Sequence, residues 1–136
     1  LNRAILLVSH GNLASTMKES VELIAGIQQQ LFALSMDDQV TLDSFSRELE
    51  AAVNQLLDRY KEIIILADIK GGTPCNAATL QVLKNSRVQV IAGFHLGLVI
   101  ESCLSPVSPK ELLDNTSRSI CHINSTVNPI NIKEEL

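Results

Sequence analysis

Tryptophan is absent from this chain, and aromatic residues together make up only 3% of it. There is little from which to build stacking platforms for bases or sugar rings. An excess of basic charge is missing too: 11 Lys and Arg stand against 15 Asp and Glu, for a net charge of -4. With no basic stripe to offset that balance, no nucleic-acid partner is expected. No apolar run approaches the roughly 20 residues that span a bilayer. The run nearest the start, Ala4 to Val8, is shorter than the apolar core of a signal peptide. Cys75, Cys103 and Cys121 are an odd number without Cys-x-x-Cys spacing, so neither a disulfide framework nor a zinc site is indicated. A reducing, cytoplasmic setting is the expectation. The sequence also lacks a Gly-x-x-x-x-Gly-Lys-Ser/Thr loop and a Gly-x-Gly-x-x-Gly loop, so it gives no support for a nucleotide cofactor. No cofactor and no metal are expected.

What the chain has is aliphatic: 46% of its 136 residues are hydrophobic and 19% charged, a globular composition of single-domain size. We expect one domain over residues 1–136, with a core over about 3–117 and a C-terminal strand and polar tail over 118–136. Ala4-Ile5-Leu6-Leu7-Val8 and Ile63-Ile64-Ile65-Leu66-Ala67 are unbroken apolar runs, as strands buried on both faces require. Val88 to Ala92 is a third such run, and the alternating Val40 to Phe45 predicts a strand nearer an edge. Helical spacing links Met17, Val21, Ile24, Ile27 and Leu31, and again Leu49, Val53, Leu56, Leu57 and Tyr60, with Ser46 as the expected N-cap of the second helix. Further helices are expected over Asn76 to Leu83, behind Pro74 at the first helical position, and over Leu96 to Leu104. Ser108-Pro109-Lys110-Glu111 opens a short one through Leu113, and Ser119 to Ile123 is expected to be a last strand. The fold class is α/β, a doubly wound and mainly parallel sheet with helices on both faces.

In such sheets, ligands gather at the carboxyl ends of the strands. Those ends carry His10, Asp68 and the turn Gly71-Gly72-Thr73-Pro74. A neutral imidazole is a nucleophile, and a carboxylate on one ring nitrogen fixes which nitrogen is free. Gly-Gly-Thr before a helix offers backbone amides, a hydroxyl and the positive end of a helix dipole, which suit a phosphate. Each residue also has a plainer reading: a loop histidine, a surface acid and a tight strand-to-helix turn.

Ser9-His10-Gly11 after an aliphatic strand, joined to Asp68-x-x-Gly71-Gly72-Thr73-Pro74-x-Asn76-Ala77-Ala78, resembles the enzyme IIA domain of the mannose family of the bacterial sugar phosphotransferase system. The resemblance runs from about Ala4 to about Leu104. It implies that His10 accepts a phosphoryl group from phospho-HPr and passes it to a histidine of enzyme IIB. Enzyme IIB in turn serves membrane sugar-permease subunits. It further implies that Asp68 orients the ring, that Gly71, Gly72 and Thr73 line the phosphoryl group, and that the protein is a homodimer exchanging a C-terminal antiparallel strand. One departure stands out. Gly93-Phe94-His95-Leu96-Gly97 replaces a Gly-x-Asn-Leu-Pro common in the family, which leaves His95 as a helix-start residue or a second polar group near the site. Two alternatives stay open. One is the phosphoryl donor of a dihydroxyacetone kinase, which has a similar His-Gly and Gly-Gly-Thr/Ser pattern. The other is a small tetrapyrrole metal chelatase, whose opening Leu6 to Asn12 resembles.

Overall fold

The computed structural model describes residues 2–128. Four parallel strands lie in the order β2-β1-β3-β4: β1 Arg3–His10, β2 Leu31–Met36, β3 Glu62–Ala67 and β4 Val88–Ala92. The connecting helices are α1 Leu13–Ala25, α2 Leu42–Leu57 and α3 Thr73–Lys84. Beyond β4 come α4 Leu96–Leu104, α5 Pro109–Thr116, a 3-10 turn at Ser117–Ser119 and the single turn α6 Ile123–Thr126. The expected doubly wound parallel sheet is what the chain forms.

The pleat of β1 sorts its side chains into two cores. Ala4, Leu6 and Val8 pack with Ile63 and Ile65 beneath Phe45, Leu49 and Val53 of α2 and Ala77 and Ala78 of α3. Ile5 and Leu7 pack the other way with Ile64 and Leu66, against Ala14 and Val21 of α1, Leu98 and Val99 of α4, and Leu112 of α5. A strand covered on both faces cannot alternate apolar and polar residues, which is why β1 and β3 read as unbroken runs. Each aliphatic side chain removed from water contributes about 1.5–3 kcal/mol, and nearly every residue of the two central strands is buried. The chain steps from β1 to β2 on one side and returns past β1 to β3 on the other. The carboxyl ends of β1 and β3 therefore flank the point where strand order reverses, the place where sheets of this kind bind ligands.

Five expectations are corrected. The second strand is Leu31–Met36, whereas Val40 to Phe45 is loop and the first turn of α2. The helical spacing that ran on to Leu31 was coincidence: α1 stops at Gly26, whose φ of 81° favours glycine, and Ile24 and Ile27 are exposed. α2 is capped by Thr41, not Ser46; the Thr41 and Ser44 side chains satisfy each other's backbone amides in a capping box, and Ser46 lies inside the helix. Ser119 to Ile123 is no strand in this chain. It runs from the 3-10 turn into α6, with Ile120 and Ile123 exposed. Among the described residues it pairs with no strand, and a short strand does not persist unpaired. Pro74 is the second residue of α3 rather than the first. From residue 129 onward the expected polar tail lies outside the described residues.

Candidate functional site

His10 is the last residue of β1, and Asp68 follows directly on β3. The Asp68 amide donates to the Val8 carbonyl at 3.2 Å, so the β1–β3 ladder extends one step past the strand and fixes the carboxylate beside His10. Two donors of His10 converge on one oxygen: the backbone N–H at 2.9 Å and ring Nδ1 at 2.7 Å, both to Asp68 Oδ2. The other oxygen, Oδ1, accepts the Ile69 amide at 2.9 Å. The Asp68 side chain is 9% exposed and the His10 ring 48%. Burial raises the carboxyl's pKa, but the bonds and charge it receives from His10, together with the Ile69 amide, outweigh that and hold it below its ordinary value. An ionised Asp68 can only accept, so Nδ1 carries a proton, and in the neutral imidazole Nε2 is the nitrogen that holds the lone pair. Nε2 has no hydrogen-bond partner among the described residues.

The turn into α3 lies against this ring. Gly71 has φ 85°, and Gly72 is the N-cap of α3. A Cβ built on Gly72 would fall 2.7 Å from His10 Cε1 and 3.4 Å from Nε2. Thr73 opens the helix and Pro74 has no N–H, so the amides of Thr73 and Cys75 are donors left without an intrahelical acceptor. The structure therefore brings His10, Asp68 and Gly72 into direct contact, and Gly71 and Thr73 follow from the backbone on either side. The arrangement offers a nucleophilic nitrogen, a carboxylate to stabilise positive charge on the ring, and the electropositive end of a helix.

Several residues that support this site escaped the sequence reading. Ser9 is fully buried, and its hydroxyl accepts the Ala14 amide at 2.7 Å while donating to the Gly11 carbonyl at 3.3 Å. It caps α1 from four residues before the helix, in place of Asn12, whose side chain makes no cap bond. Asn76 donates from Nδ2 to the Gly71 carbonyl at 3.2 Å and steadies the glycine turn. Both residues belong to the two motifs, so their presence was legible and their bonds were not. His95 is the N-cap of α4, its Nδ1 accepting the Leu98 amide at 3.3 Å, which makes it the helix-start residue of the two readings. Among the described residues, no helix is long and apolar enough to cross a membrane.

The family described as the fructose IIA component of the phosphotransferase system matches residues 4–116 of this chain. The fructose-specific EIIA component of Bacillus subtilis is 27% identical over 114 residues, covering 82% of this chain and 77% of that protein. The sorbose-specific EIIA component of Lacticaseibacillus casei is 30% identical over 97 residues, covering 71% and 69%. In three dimensions the chain is similar to a IIA protein associated with the fucose utilization operon of Streptococcus pneumoniae. That match has a TM-score of 0.87 at 28% identity, covering 94% of this chain and 98% of that one.

Proposed function

The chain belongs to the mannose-family enzyme IIA components of the sugar phosphotransferase system, and from that premise we propose that His10 is its phosphoryl acceptor. One observation carries the reading: the ring is pinned by Nδ1 to Asp68 at 2.7 Å, while Nε2, on a half-exposed side chain, has no hydrogen-bond partner among the described residues. The donor is phospho-HPr. Its nitrogen–phosphorus bond breaks with the electron pair returning to the HPr imidazole, as the Nε2 lone pair of His10 forms the new bond to phosphorus. With hydrogen on its second nitrogen the HPr ring leaves as a neutral imidazole, and no further proton needs to move. The product ring carries phosphorus on one nitrogen and hydrogen on the other, so it is formally cationic, and the Asp68 carboxylate stabilises that charge. Gly71, Gly72 and Thr73 lie beside the transferred group, with the Thr73 amide and hydroxyl facing its oxygens. The reverse displacement passes the group to a histidine of enzyme IIB, which serves the membrane sugar-permease subunits.

In this reading the relay works in the cytoplasm without cofactor or metal, on one domain with its core over residues 3–117. The names of its relatives carry fructose, sorbose and a fucose utilization operon, which favours a site reading phosphoryl chemistry rather than sugar shape. Family membership selects this reading over metal chelation, and sugar uptake is preferred to kinase donation. The homodimer is kept in the proposal. The outer edges of β2 and β4 are unpaired among the described residues, and a free edge is where a partner strand would add.

The test is labelling with phosphoenolpyruvate, enzyme I and HPr. One acid-labile phosphoryl group is expected on His10, and none on His10→Ala. Label that persists in that variant, or that maps to His95 or His122, would remove the proposal.

A further inference from the structure

The two glycines of the β3–α3 turn are glycines for opposite reasons. Gly71 has φ +85°, a conformation that L side chains rarely adopt, yet a Cβ there would meet nothing within 4 Å. Its requirement is conformational. Gly72 has φ -74° and ψ 163°, which any residue adopts, yet its Cβ would lie 2.7 Å from His10 Cε1 and 3.1 Å from Ile69 Cγ2. Its requirement is spatial. Gly72 is also the N-cap of α3, a position that favours Ser, Thr, Asp and Asn, and no side-chain cap bond is made there. The backbone tolerates a side chain at 72 and the helix would be better capped by one; the His10 ring stands in the way, and less severely the Ile69 side chain.

We propose that Gly72 is a positioning residue for the phosphoryl acceptor, its bare Cα forming the seat for the Cε1–Nε2 edge of the His10 ring. This rests on the reading of His10 as that acceptor. The ring is then held at two adjacent parts of its perimeter: Asp68 Oδ2 bonds Nδ1 at 2.7 Å, and Gly72 faces Cε1 and Nε2. A methyl group at 72 forces one neighbour to move. β1 is buried on both faces, and Asp68 continues the β1–β3 ladder by its amide. The His10 side chain is half exposed, so the ring yields first. Swinging toward solvent, it weakens its bond to Asp68 and carries Nε2 away from the α3 amides. The cost falls on transfer rather than on folding.

The experiment compares the parent protein with Gly72→Ala, Gly72→Ser and Gly71→Ala. Three quantities are read: melting temperature, nitrogen-15 NMR of the His10 ring without HPr, and the rate of phosphorylation by phospho-HPr. Both Gly72 variants should fold, with Ser at least as stable as Ala because it restores a cap. Both should shift the ring resonances away from the parent's Nδ1–H signature and slow transfer by about tenfold or more, as expected for a displacement of about 1 Å. Gly71→Ala should lower the melting temperature and leave the ring resonances where they are. Parental resonances and rates in the Gly72 variants would overturn the proposal. So would failure of both variants to fold, since Gly72 would then be structural. If the parent itself takes up no phosphoryl group, the acceptor reading fails, while the ring resonances still decide whether Gly72 seats the imidazole.

Discussion

The two ends of the β1–β3 pair carry the same kind of contact and put it to different use. At the amino end Arg3 and Glu62 are register partners, and Arg3 Nε meets Glu62 Oε1 at 2.7 Å. At the carboxyl end His10 Nδ1 meets Asp68 Oδ2, also at 2.7 Å. The exposures are inverted. Arg3 is 9% exposed and its carboxylate 40%, whereas His10 is 48% exposed and its carboxylate 9%. Arg3 spends a second donor on the Val107 carbonyl at 2.7 Å, so the buried cation ties both central strands to the segment ahead of α5. His10 spends one nitrogen and keeps the other. The amino end is a clamp whose buried group is satisfied; the carboxyl end holds a buried carboxylate in place so that a half-exposed ring stays incomplete. Chemistry sits where an interaction is left open, and the clamp keeps the strand under it straight.

The contrast predicts that damage at the two ends will show in different measurements. The largest effect should come from Asp68→Asn. The amide can still accept a bond from Nδ1, but it offers no charge to the imidazolium formed when phosphorus is on Nε2. Loss of a comparable carboxylate behind a catalytic histidine costs up to about 10⁴ in rate, and we expect a fall of about 10²–10⁴ in phosphoryl transfer with the fold retained. Rapid-quench kinetics with phospho-HPr measures it. A parental rate would show that Asp68 is a structural acid like Glu62, and the comparison would collapse.

Arg3→Ala should do the reverse. It leaves the Val107 carbonyl short of a donor and removes a side chain packed at the base of β1. Losing a charged hydrogen-bonding group at a site partly screened by solvent costs about 1–3 kcal/mol. Urea unfolding should register that loss, while transfer per folded molecule stays at the parental rate. A large drop in transfer at unchanged stability would mean that the two ends are coupled and that Arg3 belongs to the site.

The site was more legible in the sequence than the sheet around it, for physical reasons. His10 and Asp68 end runs of five aliphatic residues, and only a strand buried on both faces gives such a run, so the residues that follow must emerge at a sheet edge. β2 is an edge strand with only Leu31 fully buried, and its short run Leu31 to Met36 lay hidden behind an accidental helical spacing from Met17. The start of α2 was misplaced because Val40 to Phe45 alternates as a strand would, which pushed the expected cap on to Ser46. Only the structure shows that Ser44 completes the box with Thr41. The contact between Gly72 and the ring was invisible for another reason: a glycine chosen for space and one chosen for conformation are the same letter.

The smallest effect expected is in the acid limb of stability. Burial raises the Asp68 pKa, but its bonds to His10 and Ile69 together hold the folded value below the ordinary 3.8. A carboxyl that binds its proton less readily when folded contributes stability above its unfolded value, because there the unfolded chain holds no more protons than the native one. Between the two values the unfolded chain takes up protons first, and the contribution drains away as the pH falls through the folded value. Asp68→Asn has no proton to gain in this window. The stability difference between parent and variant should be constant near neutrality and should shrink as the pH falls through the carboxylate range, as followed by thermal melts at a series of pH values. A difference that grew on acidification would mean that the folded carboxyl binds its proton more readily than the unfolded one. Asp68 would then be a buried acid kept neutral, unable to stabilise a phosphorylated ring.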